Sequence, residues 1–468
     1  MNQKSQPHPF GEEETIAAIS TPSGEGAIAI VRLSGYRAIS LADEVFRGNC
    51  RLSGAASHTL HHGRIVDPAD HRTIDEVLAA VMRSPRTYTG EDMVEISCHG
   101  GVLVTGKILR LVLRQGARLA GPGEFTRRAY LNGRMDLLQA EAVAEVIRSR
   151  TDLGLEIAQR QLKGGCSRRL ESIRKDLIEA LALIEAGLDF SDREIPENVA
   201  EKAREPIERS RGALAGLLRG ATFGCQLQEG FSVVLVGRPN VGKSSLFNAL
   251  LGSNRVIVDA EPGTTRDSVS EQVTLQNMPV RLVDTAGLHA PAGAVEKEGV
   301  QRTRQQMDSA DLLVVILDGS EELQPEDAEI LDRTADRKRL VVMNKIDLPR
   351  ALDDGLDGRA STGRPIIEAS AVRGDGVERT IEAIGKSLSN GNGAGAETPL
   401  VATLRHREIL ERALGAVRKA EQGTAEGAGE ELVAEDIRAA LDALAGMTGR
   451  ISDQEVLARI FSTFCVGK

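Results

Sequence analysis

A glycine-rich segment at residues 237–244 combines backbone flexibility with one cation and one hydroxyl. Its sequence, GRPNVGKS, fits the pattern GxxxxGK[ST] and follows an apolar run that predicts a strand. The glycines allow successive backbone N–H groups to surround phosphate oxygens. Lys243 can place its charge at the β- and γ-phosphates, and Ser244 can offer its hydroxyl to Mg²⁺. The segment therefore predicts a loop that binds the phosphates of a nucleoside triphosphate.

Two further segments predict the magnesium and γ-phosphate contacts. DTAG occupies residues 284–287 at the end of another apolar run, and GTTRD occupies residues 263–267 in a loop before it. Asp284 can hold Mg²⁺ through water, and Gly287 can bring its backbone N–H to the γ-phosphate. Thr265 is the predicted second hydroxyl ligand of Mg²⁺.

A third motif, NKID at residues 344–347, predicts which base is bound. The Asp347 carboxylate can accept two hydrogen bonds, from N1–H and from the exocyclic amine of guanine, and adenine cannot supply that pair. SAVRG at residues 370–374 can then give a backbone N–H to the guanine oxygen. The order of the motifs along the chain therefore predicts GTP rather than ATP as the substrate.

The residue after DTAG is Leu288, where many regulatory GTPases carry a glutamine that orients the attacking water. A leucine has no polar atom for this task. The residues alone leave two mechanisms open. In the first, the protein is a slow switch whose GTP hydrolysis is supplied by another protein. In the second, a different residue of this chain and a cation supply the catalysis of hydrolysis.

Near-continuous apolar runs place these motifs at the ends of predicted strands. The runs are FSVVLVG, VRLVDTAG, DLLVVILDG, RLVVMNKID and PIIEAS, and segments of helix length separate them. Strands that are buried on both faces have this composition. A doubly wound, mostly parallel sheet is therefore predicted for a GTP-binding domain at residues 229–389.

The rest of the chain predicts two other kinds of structure. Residues 1–132 carry strand-like runs such as AIAIVRLSG and DMVEISCHG, followed by a helical segment from Val102 to Gly116, and predict an N-terminal α+β domain. Apolar residues spaced by three and four predict helices in residues 133–228 and again in residues 390–468. The predicted fold class is a multidomain α/β plus α protein, in which a P-loop GTPase domain is inserted into a helical bundle domain.

The composition limits the kinds of partner and compartment. The 468 residues carry a net charge of −10, and an acidic chain does not grip nucleic acid unaided over a large surface. The five cysteines form no CxxC or His/Cys cluster, so a zinc site or disulfide framework is not expected, and all but Cys465 are predicted in packed interiors. Without a recognisable signal peptide or bilayer-spanning run, we expect no membrane insertion and a cytoplasmic location, or an organellar one after processing.

Several segments together resemble the MnmE (TrmE) family of tRNA-modification GTPases. They are GRPNVGKSS, VIVDAEPGTTRD, DTAGL followed by VEKEGV, the terminal FCVGK, and, nearer the N-terminus, TIAAISTPSGEGAIAIVRLSG, TGEDMVEISCHGG and GPGEFTRRAYLNGRMDLLQAEAV. The resemblance runs from about Thr15 to Lys468 and includes the domain order. It implies a GTP hydrolase that is activated when two nucleotide domains pair.

The resemblance also implies that K⁺ lies beside the γ-phosphate and does the work of an arginine finger. Asn240 would supply one ligand, and the backbone carbonyls of Asp259 and Glu261, together with Thr264, would supply the others. A monovalent cation there neutralises charge that develops on the phosphoryl oxygens. Glu296 in VEKEGV matches the catalytic glutamate of the family, which orients the attacking water through a second water.

The motifs and the resemblance together assign a set of residues to GTP and its ions. The implied Mg²⁺ ligands are Ser244 and Thr265, and the catalytic residues are Lys243, Glu296 and Cys465. The residues assigned to GTP are Asn240, Val241, Gly242, Lys243, Ser244, Ser245, Asp259, Ala260, Glu261, Pro262, Gly263, Thr264, Thr265, Asp284, Thr285, Ala286, Gly287, Asn344, Lys345, Ile346, Asp347, Ser370, Ala371 and Val372.

The same resemblance implies that the N-terminal domain forms a constitutive homodimer and binds 5,10-methylene- or 5-formyl-tetrahydrofolate. The implied folate contacts are Arg32, Glu95, Arg134 and Lys468. A pterin ring needs an acceptor carboxylate for its amino and ring N–H groups, which suits Glu95. Arg134 stands where lysine also occurs in the family, which keeps the charge but changes the donor geometry. Cys465 is implied to be required for the modification reaction, whereas by itself a free cysteine is more often a packed apolar residue.

The implied function is GTP hydrolysis coupled to modification of carbon 5 of the wobble uridine in tRNA. With a partner of the MnmG type, which brings FAD and forms a heterotetramer, the family installs a carboxymethylaminomethyl or aminomethyl group from a folate one-carbon unit. Two alternatives stay open: a ribosome-assembly GTPase that acts as a binding switch, and a dimeric scaffold whose GTPase is vestigial. Folate binding would argue against the first alternative, and K⁺-dependent GTP turnover would argue against the second.

Overall fold

A computed structural model describes residues 14–149, 151–189, 199–253, 270–284, 305–352, 366–392, 403–449 and 454–468. The chain divides into two compact units, one formed by Met1–Ala144 with Ala445–Lys468 and the other by Glu145–Leu444. The C-terminal segment therefore packs with the N-terminal segment of the chain. The domain boundaries predicted after residues 132, 228 and 389 stay a prediction.

Seven strands form the sheet of the first unit: β1 (Ile16–Ile19), β2 (Gly26–Ser34), β3 (Phe46–Gly48), β4 (Thr59–Val66), β5 (Thr73–Met82), β6 (Met93–Gly100) and β7 (Arg118–Leu119). Their order is β3-β4-β5-β6-β2-β1-β7, and every neighbouring pair is antiparallel except β1 with β7. The helices α1 (Ala38–Val45) and α2 (Val102–Arg114) pack on one face, where Leu33, Ile96 and Leu111 share a core. The strands predicted from AIAIVRLSG and DMVEISCHG and the helix after them are confirmed.

Arg128 lies in a buried ion-pair network on helix α3 (Glu124–Leu131). Its side chain is 2% exposed and contacts carboxylate oxygens of Glu91 at 3.2 Å and Glu124 at 3.1 Å. The guanidinium also donates to the backbone oxygen of Glu14 at 2.9 Å. Glu124 accepts a second ion pair from Arg118. The network therefore links α3 to the loop before β6 and to the start of β1.

Arg128→Ala is expected to lower the free energy of unfolding by about 3 kcal/mol, because it removes the cation that pairs with Glu91 and one of the two that pair with the buried Glu124. Urea unfolding of the full chain, followed by circular dichroism, measures the change. Arg160→Ala removes an exposed helical pair with Glu156 and is the matched control, with an expected loss of at most about 0.5 kcal/mol. Equal losses in the two variants would contradict a stabilising role for the buried network.

Long helices form the helical part of the chain: α4 (Leu137–Arg148), α5 (Asp152–Leu162), α6 (Gly165–Asp189), α7 (Val199–Glu229), α11 (Leu404–Glu426) and α12 (Glu430–Thr448). α6 packs along α7, and α7 packs along α11. Ile173, Leu177 and Ile184 lie buried on one face of α6, as their spacing predicts.

Six strands form the sheet of the second unit: β8 (Phe231–Val236), β9 (Ser270–Leu275), β10 (Met278–Asp284), β11 (Leu312–Asp318), β12 (Arg339–Asn344) and β13 (Ile367–Glu368). Their order is β13-β12-β11-β8-β10-β9, and all neighbours are parallel except β9 with β10. The helices of this part are α8 (Lys243–Ser253), α9 (Pro325–Arg333) and α10 (Val377–Asn392). β8, β11 and β12 are buried along their whole length, which confirms the mostly parallel sheet.

The cysteines follow the sequence expectation only in part. Cys98 and Cys166 are buried, but Cys225 is half-buried and Cys50 is exposed. Cys50 follows the short edge strand β3, where few neighbours are available to cover it. In the described part of the chain, no helix is long and apolar enough to cross a bilayer.

Candidate functional site

The carboxyl ends of four parallel strands meet at one edge of the second sheet. β8 leads into the glycine-rich loop at residues 237–244, β10 ends at Asp284, β11 ends at Asp318 and β12 ends at Asn344. β8 lies between β10 and β11. The strands that follow it in the chain are first added on one side of β8 and then on the other, so the strand order reverses at β8. Ligands of doubly wound sheets bind at such a switch point.

The glycine-rich loop is shaped by two residues in the left-handed region. Asn240 has φ 66° and Gly242 has φ 94°, so the backbone turns tightly before α8 begins at Lys243. Lys243 is buried, and its ammonium donates to the carbonyl oxygens of Gly237 at 2.9 Å and Arg238 at 2.8 Å. The loop therefore holds a cation and the positive end of a helix at the same place.

Ser244 and Asp284 bring two oxygen ligands together. The Ser244 hydroxyl donates to an Asp284 carboxylate oxygen at 2.7 Å. Mg²⁺ is held in such sites by one or two protein oxygens, with phosphate and water oxygens completing the octahedron. In the described residues no cluster of three or more His, Cys, Asp or Glu could hold a metal by itself. This pair therefore fits a Mg²⁺ that arrives with a nucleotide.

Asn344 joins the base motif to the phosphate loop. Its side-chain amide donates to the carbonyl of Val241 at 2.9 Å, and its side-chain oxygen accepts from the backbone N–H of Ala371 at 3.0 Å. A Cβ at Gly242 would collide with this amide, so only glycine fits there. The buried Asn344 side chain thus connects the NKID motif to the phosphate loop and to SAVRG by hydrogen bonds.

The charged residues of NKID each have a partner. Asp347 accepts a hydrogen bond from the Ser370 hydroxyl at 2.6 Å, and the Lys345 ammonium lies 2.6 Å from a carboxylate oxygen of Asp318. Sequence reasoning did not single out Asp318 or its neighbour Arg238. The signal for Asp318 is that an acid ends the otherwise apolar run LLVVILD at residues 312–318.

The described phosphate-loop and base-motif residues lie after β8, β12 and β13, with Val241 in the loop, Ser245 at the start of α8, Ile346 after β12 and Val372 after β13, and their roles toward GTP stay predictions. Eleven of the predicted residues lie outside the described residues, and their roles stay predictions. These are Asp259, Ala260, Glu261, Pro262, Gly263, Thr264, Thr265, Thr285, Ala286, Gly287 and Glu296.

A second group of predicted residues meets within the first unit. Arg32 on β2 pairs with Glu95 on β6, with its Nε 2.8 Å and its Nη2 2.7 Å from the same carboxylate oxygen. Its guanidinium lies 5.7 Å from the ring centre of Tyr88 and 5.5 Å from that of Phe125. The carbonyl of Gly467 accepts from Arg32 at 3.2 Å.

The C-terminal tail completes this second group. A terminal backbone oxygen of Lys468 accepts from the N–H of Phe125 at 3.2 Å, which ties the tail to the N-terminus of α3. Burial lowers the pKa of the Lys468 ammonium and Arg32 lowers it further, while Glu95 and Cys465 act in the opposite direction. The tail is therefore held both at Arg32, through Gly467, and at the N-terminus of α3, through Lys468.

Arg134 and Cys465 each contact a residue next to the second group. The Nε of Arg134 donates to the carbonyl of Thr87 at 3.0 Å, in the loop that also carries Tyr88. Cys465 is exposed, and its backbone oxygen accepts from the N–H of Gly123 at 3.4 Å. The arrangement places a carboxylate and several cations near the half-buried Tyr88 ring.

A mostly parallel sheet with a phosphate loop at its switch point, and an NKID motif after β12 at the same edge, defines the class of P-loop guanine-nucleotide-binding proteins. Comparison with known proteins narrows the class. Residues 15–134 match the family model described as GTP-binding protein TrmE N-terminus, and residues 137–465 match the model described as MnmE helical domain.

Two relatives are similar over almost the whole chain, and each is described as "tRNA modification GTPase MnmE". The protein of Geobacillus kaustophilus is 42% identical over 460 residues, which cover 98% of this chain and 100% of the relative. That of Heliobacterium modesticaldum is 45% identical over 463 residues, covering 97% of this chain and 99% of the relative. The chain therefore belongs to the MnmE (TrmE) family of tRNA modification GTPases.

Proposed function

We propose that this protein hydrolyses GTP and uses the hydrolysis to drive modification of carbon 5 of the wobble uridine in tRNA. One observation carries the GTPase part of the proposal. At one edge of the sheet, Asn344 of the base motif forms hydrogen bonds to the phosphate loop and to the SAVRG segment. Guanine would be read by Asp347, and the phosphates would be held by the loop amides and Lys243. Mg²⁺ would be held by Ser244 and Thr265, with Asp284 acting through water, and would neutralise phosphate charge.

Potassium is the proposed substitute for the missing glutamine and for an arginine finger. The family resemblance assigns its ligands to Asn240, to the carbonyls of Asp259 and Glu261, and to Thr264. Glu296 would orient the attacking water. The exposed Asn240, two residues after Arg238 in the phosphate loop, supports this assignment because its side chain is available at the phosphate edge of the sheet.

GTP turnover is expected to be at least about tenfold faster in K⁺ than in Na⁺ at equal ionic strength, since a poorly fitting cation stabilises the transition-state charge less. Steady-state phosphate release with either chloride salt measures the difference. Choline chloride serves as the control for ionic strength. Equal rates in K⁺ and Na⁺ would remove the cation from the mechanism.

A tetrahydrofolate, as the 5,10-methylene or 5-formyl form, is the proposed one-carbon donor. Glu95 would accept from the pterin amino and ring N–H groups, and Arg32 and Lys468 would face its anionic groups, with Arg134 alongside. The Tyr88 ring beside Arg32 supports the assignment because it is only half-buried and a pterin can pack against an aromatic face. Cys465, two residues before the Gly467 carbonyl that accepts from Arg32, would serve the modification reaction.

The uncovered face of the N-terminal sheet supports the proposed homodimer. Ile28 is 67% exposed, Leu60 is 60% exposed and Leu78 is 40% exposed, although all three lie on strands of the sheet. Leu60 is the cross-strand partner of Ala80, Ala80 is the partner of Glu95, and Glu95 is the partner of Arg32. The same face of the sheet therefore continues into the proposed folate site. A second copy that covers the face would also border the folate site.

The remaining partners follow from the family and stay part of the proposal. They are tRNA and an MnmG-type protein that brings FAD and forms a heterotetramer, in the cytoplasm. The acidic net charge of −10 supports a division of labour in which the partner contributes much of the grip on tRNA.

The modification is tested in a deletion strain by mass spectrometry of the wobble uridine in its tRNA. Loss of the carbon-5 group, restored by the intact gene, is the expected result, and unchanged wobble uridines would refute the proposal. Tetrahydrofolate binding by the purified protein separates the proposal from a ribosome-assembly GTPase, which has no need of a folate.

A further inference from the structure

An acidic residue ends the most buried strand of the second sheet. β11 runs from Leu312 to Asp318, and each of its residues is buried. The side chain of Asp318 is only 1% exposed. Burying an ionised carboxylate costs free energy unless cations and hydrogen-bond donors compensate it. The partners of Asp318 therefore indicate its structural role.

The two oxygens of Asp318 have different partners. One accepts from the backbone N–H of Ser320 at 3.0 Å and from its hydroxyl at 2.6 Å. The other lies 2.6 Å from the Lys345 ammonium. Burial by itself would raise the pKa of Asp318, but these hydrogen bonds outweigh it and the net shift is downward. The carboxylate is therefore ionised and bound firmly at neutral pH.

Lys345 has a backbone conformation that its surroundings have to stabilise. Its φ is 64°, a left-handed conformation that residues other than glycine adopt when the surroundings fix them. It lies between Asn344, which binds the phosphate loop and SAVRG, and Asp347, which binds Ser370. Fixing the Lys345 side chain therefore helps to fix the backbone that carries both of these groups.

A cation of the phosphate loop also lies near the Asp318 carboxylate. Arg238 Nη2 lies 4.0 Å from the Asp318 oxygen that pairs with Lys345. The Arg238 guanidinium also binds Asp327 at 3.0 Å and Glu321 at 2.6 Å. Its backbone carbonyl accepts from the Lys243 ammonium at 2.8 Å. Asp318 thus lies between one cation of the phosphate loop and one of the base motif.

We propose that Asp318 is a positioning residue for guanine-nucleotide binding, which holds Lys345 and keeps the base motif in register with the phosphate loop. The proposal rests on the proposed GTP-binding function. Asp318 does not itself contact the nucleotide in this role. Its loss would therefore weaken binding of the nucleotide much more than it slows the chemical step.

Asp318→Asn, which keeps the shape but removes the charge, is expected to raise the Kd for GDP about tenfold. The KM for GTP should rise by a similar factor, while kcat at saturating GTP stays within about twofold. Binding is measured with a fluorescent GDP analogue, and turnover by phosphate release. An unchanged Kd, or a fall in kcat as large as the rise in KM, would overturn the proposal.

Asp311→Asn is the matched control, because Asp311 is also a hydrogen-bonded acid beside β11 but lies at the opposite end of that strand. Its carboxylate accepts from the N–H of Ser232 at 2.8 Å and from the Gln226 amide at 2.6 Å, away from the nucleotide edge. It should leave the Kd for GDP unchanged. A similar rise in both variants would mean that general loosening of the sheet, and not positioning of Lys345, causes the effect.

A double-mutant cycle tests the route through Lys345. The effect of Asp318→Asn should disappear in a Lys345→Met background, whereas additive effects would contradict the proposed route. If Asp318→Asn does not fold, Ser320→Ala carries the test, since it removes one donor to the carboxylate; a Kd unchanged from wild type would then overturn the proposal. Absence of GDP binding by the wild type would refute the proposed function itself, which is a separate result.

Discussion

Asp347→Asn is expected to lower the affinity for GDP about 1,000-fold and to create affinity for xanthosine diphosphate. The Asp347 carboxylate would accept hydrogen bonds from guanine N1–H and the exocyclic amine. An asparagine amide would instead direct a donor at that amine, and a site built around hydrogen bonds discriminates strongly against such a mismatch. Xanthine carries an oxygen in place of the amine, so the new amide can donate to it.

Competition against a fluorescent GDP analogue measures both affinities. The hydrogen bond from Ser370 lowers the pKa of Asp347, so the carboxylate is ionised at neutral pH and the loss reports the missing acceptor. Asp375→Asn removes an exposed carboxylate near the same loop and should leave GDP binding unchanged. Wild-type affinity for GDP in Asp347→Asn would exclude this residue from base recognition.

Lys243→Met is expected to lower kcat/KM for GTP by roughly 100- to 1,000-fold, the scale of losing one charged contact to a transition-state oxygen. Methionine keeps much of the stem but none of the charge. Burial lowers the pKa of Lys243, while Asp284 opposes that shift. Phosphates brought beside the ammonium would favour its charged form further.

Phosphate release at several GTP concentrations measures this loss. The matched control is Lys386→Met, which removes an exposed ammonium from α10 and should leave kcat/KM within about twofold of wild type. The unfolding midpoint of Lys243→Met should stay close to that of the wild type, because the change retains apolar packing. A fall of less than about threefold in kcat/KM would contradict a role for Lys243 at the phosphates.

The nucleotide-binding sheet could be predicted from sequence because its strands are short, apolar and rich in β-branched residues. Runs such as Leu312–Leu317 are apolar at every position and too short for a typical helix, which favours a strand covered on both faces. The motifs then follow these runs directly, and the parallel arrangement brings their ends to one edge. Asn344 and Asp347 could therefore be assigned before any contact was known.

Strand β5 shows where the same reasoning fails. Its sequence, TIDEVLAAVM, combines five residues of types that favour helices (Glu, Leu, Ala and Met) with four β-branched residues, and no strand is predicted there. It is nevertheless a strand, because it pairs along its length with β4 and with β6. Cross-strand pairing and burial of Val77, Ala79 and Val81 outweigh the local preference.

The sequence by itself determined the nucleotide class, the order of the motifs and the family, because these depend on residue types at short spacing. The tertiary structure decided the long-range contacts. Only folding brings the Gly467 carbonyl to Arg32, and only the sheet order places Asp318 between Lys345 and Arg238. Such contacts depend on how distant segments pack, and no local pattern of residues encodes which of many acids and cations will meet.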